Sequence, residues 1–511
     1  MLRVNELWKK SETGFASLGS YTFSSGSIVA AARASEQDVS KLGLLVRHLG
    51  RGLTTGPGEP PQRLEGRCRS AAVTMDEPLL LALPDDALLA VLAFLPPRQL
   101  LDCRVLCRRL RDLCLHADLW RRVSLTRWRR RCLWRAALRL APCLRELDLC
   151  DTDDLADAAA EVAATACVVA KLSLNVASDR DVAMAATIVE KMSALGGLTG
   201  FSLFVNDYYY GTVFDLDPLL AAVNNVSHLT HLEIQNEFES AALLSSCADL
   251  EGSPSVKRLS YTSSTEDTLL EALLETHAST LEHLHLDTEH VPVSALKELP
   301  KLRSLTCELQ PTEDVSGLKA LPSLASLDFS WEVSGSPGAL ELLGEAPHLR
   351  KVSVPCSGPK PSAPLVALAA SPSARQLESL RILTRSKDVS KHVIAALPKF
   401  PSLRDLALIV HSRRLEDFLQ AVSPATASSL SMLVLFTAGE VCRHALLHGA
   451  AVEGLLGRNP RLHLRVLNSG GCSEEADCEW CRLGCHTDLR AAYAAHCRGE
   501  DCPKDCHRWT C

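Results

Sequence analysis

The sequence predicts an α/β solenoid: a three-helix N-terminal unit, about twelve strand-helix units in series that build a horseshoe, and a small tail rich in Cys and His. Three observations predict it. The pattern L-x-x-L-x-L recurs twelve times between Leu144 and Leu435, at intervals averaging about 26 residues. Between copies lie segments whose apolar residues recur at helical spacing, such as Asp267 to Thr276 and Leu415 to Val422. A leucine-dense stretch precedes the first copy, and eight of the 20 cysteines fall within Cys472 to Cys511.

Composition agrees with a packed chain. Of 511 residues, 47% are apolar, which excludes disorder of the whole chain, and only 7 Trp, 6 Tyr and 11 Phe are present, so Leu, Ala and Val must fill the core. The most apolar run, Leu79 to Leu95, is cut by Pro84, Asp85 and Asp86 and falls short of a membrane span. The first residues lack the apolar stretch of a secretory signal, so cytosol or nucleus is the expected compartment. In that setting the thiols read as small buried hydrophobes, metal ligands, or both.

Taken in order, residues 1–74 are a disordered leader, broken by T-T-G-P-G-E-P-P at Thr54 to Pro61. Met75 is a candidate translational start, directly ahead of the first patterned segment. Residues 75–122 hold the helical unit: Asp85 or Asp86 caps a helix running to Phe94, Pro96-Pro97 stops it, a second helix begins near Arg98, and a third segment follows. The first helix is apolar almost all round, which in so short a segment implies burial against a partner as well as its neighbours.

Residues 123–143 form a basic helical linker. Arg98 to Arg145 carries 14 Arg against Asp102, Asp112 and Asp118, a net of +11, whereas residues 146–468 carry 40 acids and 25 bases, a net of −15. The formal charge of −7 averages these away. Arg127, Arg129, Arg130, Arg131 and Arg135 interleave with Trp128 and Trp134, a mixture that suits either phosphate contacts and base stacking or a solvated helix face. The acidic stretch beyond favours the second.

Residues 144–468 are the repeats. Copies run from Leu144/Leu147/Leu149 through Val256/Leu259/Tyr261 and Leu324/Leu327/Phe329 to Leu430/Leu433/Leu435. The fourth and sixth positions alternate, so both side chains fall on one face of a short strand, and the residue between them falls on the other. One strand with one helix cannot bury its own apolar face, so neighbouring units must stack. After the third copy, Tyr208, Tyr209 and Tyr210 hold half of all tyrosines; such a cluster is either a recognition loop or a locally packed, variable insertion.

Two resemblances rest on these residues. The repeats resemble the leucine-rich-repeat family, with one departure: that family places Asn or Cys three residues after the last strand position. Here only Asn206 does so, against Thr152, Ala177, Glu237, Ser264 and Glu289, so its hydrogen-bonding ladder is expected to be mostly missing. Residues 83–120 resemble an F-box in the Leu83-Pro84 opening, Leu88, Leu92, Leu95, Pro96-Pro97, Leu100, Val105, Cys107-Arg108-Arg109, Leu110 and the closing Leu119-Trp120. That resemblance implies docking on a Skp-type adaptor held by a cullin with its RING subunit. It further implies that Leu83, Pro84, Leu88, Leu92, Leu95, Leu100 and Leu110 line or support the interface, while Trp120 locks the motif to the repeats. A plain helical cap on the repeats is the alternative.

Residues 469–511 form the tail. Cys472, Cys478, Cys481, Cys485, His486, His496, Cys497, Cys502, Cys506, His507 and Cys511 suit one or two tetrahedral structural zinc sites; free thiols and disulfides are the alternatives. No phosphate-binding glycine loop, nucleophile elbow or metalloprotease helix is present, so no catalytic residue and no catalytic cofactor is expected. The reading of the whole is a non-catalytic substrate receptor of an SCF-type ubiquitin ligase whose repeats hold a protein target with a basic surface. A ligase-independent scaffold and a zinc-dependent nucleic-acid binder are the alternatives.

Overall fold

The computed structural model describes residues 83–125, 131–151, 155–205, 213–236, 242–244, 253–264, 268–288, 291–308, 314–330, 333, 335–356, 360–384, 389–410, 412–437, 446–468 and 493–496. They divide into two compact units, Met1–Leu174 with Thr187–Thr199, and Asn175–Ala186 with Gly200–Cys511.

The first unit opens with helices α1 (Asp85–Leu92), α2 (Pro97–Cys103), α3 (Arg108–Leu113) and α4 (Ala117–Trp120). Pro97 starts α2 because a proline in the first turn leaves no additional amide unpaired. Neither Asp85 nor Asp86 caps α1: Pro84 holds the cap position, and both acids lie in the first turn, where the helix dipole favours them. The Asp85 carboxylate instead accepts from Arg109 Nε on α3 at 2.9 Å, while Arg109 also donates to the Leu83 carbonyl at 2.6 Å. This clamp ties the chain entry to α3. With the pair 38% and 62% exposed, Arg109→Ala is expected to lower the urea midpoint by the equivalent of only about 0.5–1 kcal/mol.

Strands β1 (Ser124–Leu125), β2 (Cys143–Asp148) and β3 (Val168–Val176) run parallel, interleaved with α5 (Arg131–Leu140) and α6 (Leu155–Ala163). Helix α7 (Asp179–Ala194) is followed by Gly196 at φ +79, the left-handed conformation that ends a helix without a Cβ clash. A Cβ on Gly197 would meet Val168 Cγ1 at 1.9 Å, so β3 and the chain after α7 can approach closely only through glycine.

In the second unit, β4 (Gly200–Val205), β6 (His231–Asn236), β8 (Arg258–Ser263), β9 (His283–Thr288), β10 (Ser304–Cys307) and β11 (Ser326–Phe329) are parallel neighbours. They continue as β12 (Lys351–Pro355), β13 (Ser379–Leu383), β14 (Asp405–Val410), β15 (Met432–Thr437) and β16 (His463–Asn468). Strand β17 (Tyr493–His496) pairs antiparallel with β16. A separate parallel pair joins β5 (Val213–Asp215) to β7 (Ala242–Leu244). Helices α8 (Asp217–Asn224), α9 (Leu269–His277), α10 (Val293–Leu296), α11 (Pro337–Glu345), α12 (Ala363–Ala370), α13 (Val389–Ala396), α14 (Ser412–Ala421) and α15 (Ala450–Arg458) alternate with the strands.

The register is the one the repeat implies. Fourth positions pair in succession, Leu232 with Leu259, Leu284, Leu305, Leu327, Val352, Leu380, Leu406 and Leu433, and all are buried. Each contributes about 1.5–3 kcal/mol by leaving water. The repeat also extends beyond its twelve predicted copies. Leu125 pairs with Leu147 before the first, and Leu464 with Leu433 after the last. The final copy escapes the pattern because its first position is Arg461.

Positions such as Thr152, Asn206, Glu237 and Glu289, three residues after the sixth, lie outside the described residues. Two residues after the sixth position small polar residues are buried, with Asn236, Ser263 and Thr288 in register and Thr384 at the same place in a later copy. Cys356 N–H donates to the Leu383 carbonyl at 2.8 Å, and Thr384 Oγ1 donates to the Cys356 carbonyl. These bonds satisfy backbone groups where the chain leaves the sheet.

Five described cysteines, Cys103, Cys114, Cys167, Cys307 and Cys356, are buried and unbridged. Burial, aided by neighbouring thiols, pushes Cys114 and Cys167 up to about 12, so they pack as small hydrophobes. At the end of α9, buried His277 has no hydrogen-bond partner for Nδ1 among the described residues, and burial lowers its imidazole to about 4. The unfolded histidine takes up its proton near pH 6.5 and the folded one only near 4. Stability is therefore fully present above about pH 6.5 and is lost as pH falls towards 4, by on the order of 3 kcal/mol. His277→Leu is expected to flatten the change in urea midpoint between pH 6.5 and 4.5; an unchanged slope would show that His277 does not carry it.

Candidate functional site

The first candidate surface lies on α1 to α4. Leu88, Leu92, Leu95, Leu100 and Leu110 are 0–7% exposed and form the core of this unit, with Leu83 half-buried and Pro84 exposed. Their spacing explains it, since Leu88 and Leu92 share one face of α1 and Leu95 follows in the turn after it. The five leucines thus support the surface from within, and of the expected interface residues only Leu83 and Pro84 are accessible. Phe94 is 64% exposed, Val105 75% and Leu106 40%, and the only other large hydrophobic exposed among the described residues is Val366 at 59%. Isolated exposed hydrophobics are ordinary, but three of four within thirteen residues mark a surface short of a partner. Phe94 lies off the stripe set by Leu88, Leu92 and Leu95, and the all-round apolarity of α1 was its signal. Leu106 left no signal of its own.

Trp120 is fully buried and its Nε1–H donates to the Cys114 carbonyl at 2.7 Å. Cys143 Sγ, at the start of β2, contacts the Ala117 carbonyl at 3.6 Å, so α4 is seated on the first strands.

Arg127, Trp128, Arg129 and Arg130 lie outside the described residues, while Arg135 and Arg139 are paired with acids. Arg139 on α5 donates from Nε and Nη2 to the Glu161 carboxylate on α6 at 2.9 and 2.6 Å, and Arg135 reaches Asp157 at 3.1 Å. Arg135 also lies over the Trp134 ring, 5.4 Å from its centroid. Guanidiniums engaged with carboxylates are poor phosphate anchors, which weighs against the nucleic-acid reading.

The second candidate surface is the sheet face of the second unit opposite its core, built from the residues flanking the fourth and sixth positions. On β6 to β11 it is polar. Glu233 accepts from Ser202 at 2.8 Å and from Gln235 at 2.5 Å. Burial raises the Asp328 carboxyl, opposed by the neighbouring Ser353 hydroxyl and the charges of Arg381 and His285. On β14 to β16 the same positions turn apolar with Ile409, Val434, Phe436 and Leu467, all partly exposed.

Tyr208, Tyr209 and Tyr210 lie outside the described residues, as do the tail positions Cys472, Cys478, Cys481, Cys485, His486, Cys497, Cys502, Cys506, His507 and Cys511. His496 is in β17, where its backbone pairs with Leu464. Among the described residues no three metal-ligating side chains come together, and no helix is long and apolar enough to cross a membrane.

Residues 80–126 match the F-box-like family. No curated protein sequence matches the chain. Among solved structures, an internalin (inlF) of Listeria monocytogenes is similar at 15% identity and TM-score 0.29, over 60% of this chain and 82% of that one. Rad7, in its complex with Elc1 from yeast, is similar at 14% identity and TM-score 0.36, over 83% and 97%. The TLR13–ssRNA13 complex is similar at 15% and 0.29, over 57% and 45%. The family match covers residues 80–126, and beyond it the chain continues as the parallel strands and alternating helices described above.

Proposed function

We propose that this chain, carrying an F-box-like domain ahead of leucine-rich repeats, is the target-binding subunit of an SCF-type cullin-RING ubiquitin ligase. The helical unit docks on a Skp-type adaptor and the repeats hold a protein for ubiquitination. The observation that carries the reading is the exposure of Phe94, Val105 and Leu106 on the segment that matches the F-box-like family. The role asked of this chain is proximity: holding a target on the assembly raises its effective concentration at the ubiquitin-charged enzyme, and that transfer requires no side chain of this protein.

The test is capture of purified Skp-type adaptor and cullin by the full chain. A complex stable at micromolar concentration is expected. No complex with the wild-type chain at that concentration would overturn the reading and leave the repeats as a scaffold.

A further inference from the structure

The sheet face of the second unit changes chemistry along its length. Over β6 to β10 its acids are Glu233 on β6, Asp287 on β9 and Glu308 just after β10, and Arg258 is the one Lys or Arg on the same face of these described strands. Over β14 to β16 the corresponding positions hold Ile409, Val434, Phe436 and Leu467. Register places Ile409 beside Phe436 and Phe436 beside Leu467, so the three form a continuous row across neighbouring strands. Val434 lies between Ala407 and Arg465 in the row two residues earlier.

Arg381 and Arg465 end the row two residues earlier, and Asp405 stands on the same face two residues before Ala407. Arg381 pairs in register with Ala407 on β14, and Arg465 pairs with Val434 on β15. Over β6 to β10 three acids face one Lys or Arg, whereas over β14 to β16 Asp405 and Arg465 balance, so the first end favours a basic side chain more than the second. The face is therefore directional.

We infer that this face binds a single extended protein segment of two-part chemistry, a basic stretch over β6 to β10 and an uncharged apolar stretch over β14 to β16. The inference rests on the target-binding reading above and specifies what such a target must carry. Asp287 and Ile409 are five strand steps apart, roughly 24 Å at about 4.8 Å per step, which an extended chain covers in about seven residues. The basic and apolar clusters of the target are thus expected about seven residues apart. Neither half suffices: exposed ion pairs contribute little each, and a short apolar row alone cannot orient a chain.

The test uses the full chain with its adaptor and four labelled peptides of about sixteen residues, read by fluorescence anisotropy. One joins a Lys/Arg stretch to a Leu/Phe stretch, one replaces the apolar stretch by Ser, one replaces the basic stretch by Ser, and one replaces it by Glu. The two-part basic-apolar peptide is expected to bind at least about ten-fold more tightly than the others. Phe436→Asp, with Phe436→Ser as the milder variant, is expected to remove the gain from the apolar stretch. Asp287→Lys with Glu308→Lys is expected to remove the gain from the basic stretch together with its salt dependence. Equal or tighter binding of the Glu-apolar peptide overturns the inference. So does the absence of any preference, or a chain that self-associates through this face and becomes monomeric with Phe436→Asp. Adaptor capture, read on the same samples, separates the two readings: intact capture with no peptide preference overturns only this inference.

Discussion

Val105→Asp is expected to abolish capture of a Skp-type adaptor, with affinity falling by about 100-fold or more, while thermal unfolding of the chain stays within a degree or two of wild type. Val105 is 75% exposed, so a carboxylate there stays solvated in the free protein and has little effect on folding. In a complex that covers it, the same carboxylate is buried without a partner at a cost of about 3 kcal/mol or more, which is the stated fold-change. Phe94→Asp should behave alike. Leu88→Asp is the informative contrast, because Leu88 is fully buried and the substitution unfolds the helical unit before any partner is met. A pull-down beside a circular-dichroism melt separates the cases. Unchanged capture by Val105→Asp would show that the exposed row does not meet the adaptor.

A large stability effect is also expected at Trp120. Truncation to alanine leaves a cavity in the core of the helical unit, costing about 3–5 kcal/mol, and leaves the Cys114 carbonyl without its indole donor. That is a large share of the roughly 5–15 kcal/mol by which a domain is stable, so urea unfolding of the Trp120→Ala chain should show the first unit lost at low denaturant. Trp120→Phe restores most of the volume and not the donor, and is expected to cost about 1–2 kcal/mol. Equal losses in the two variants would mean that the hydrogen bond, and not the packing, holds α4.

The fold was legible wherever one side-chain property sets one geometric outcome. Alternating apolar residues at fourth and sixth positions are enough to place Leu259 beside Leu232 and Leu284, because a slip of one residue would turn every such side chain to the wrong face. Legibility failed where two outcomes compete for one residue. Asp85 could cap its own helix or meet a distant arginine, and nothing local weighs Arg109, 24 residues away. The buried Asn236, Ser263, Thr288 and Thr384 left no signal in the repeat pattern, because whether Ser, Thr or Asn is buried depends on how the chain turns out of the sheet. On the docking surface, periodicity identified the leucines that hold α1 to α3 together. The exposed Phe94 is defined by being off that period.

The antiparallel pairing of β17 with β16 bears on solubility. A parallel array ends in a strand whose unpaired amides and carbonyls can template the same strand order in another molecule, and this edge is the natural start of fibre growth. Here β16 gives its outer hydrogen bonds to Tyr493–His496, a strand of four residues running the other way. An incoming parallel repeat would meet a short edge of reversed polarity, on which the register that unites the repeats cannot continue. Among the described residues, β17 thus ends the parallel array with a strand on which its register does not continue.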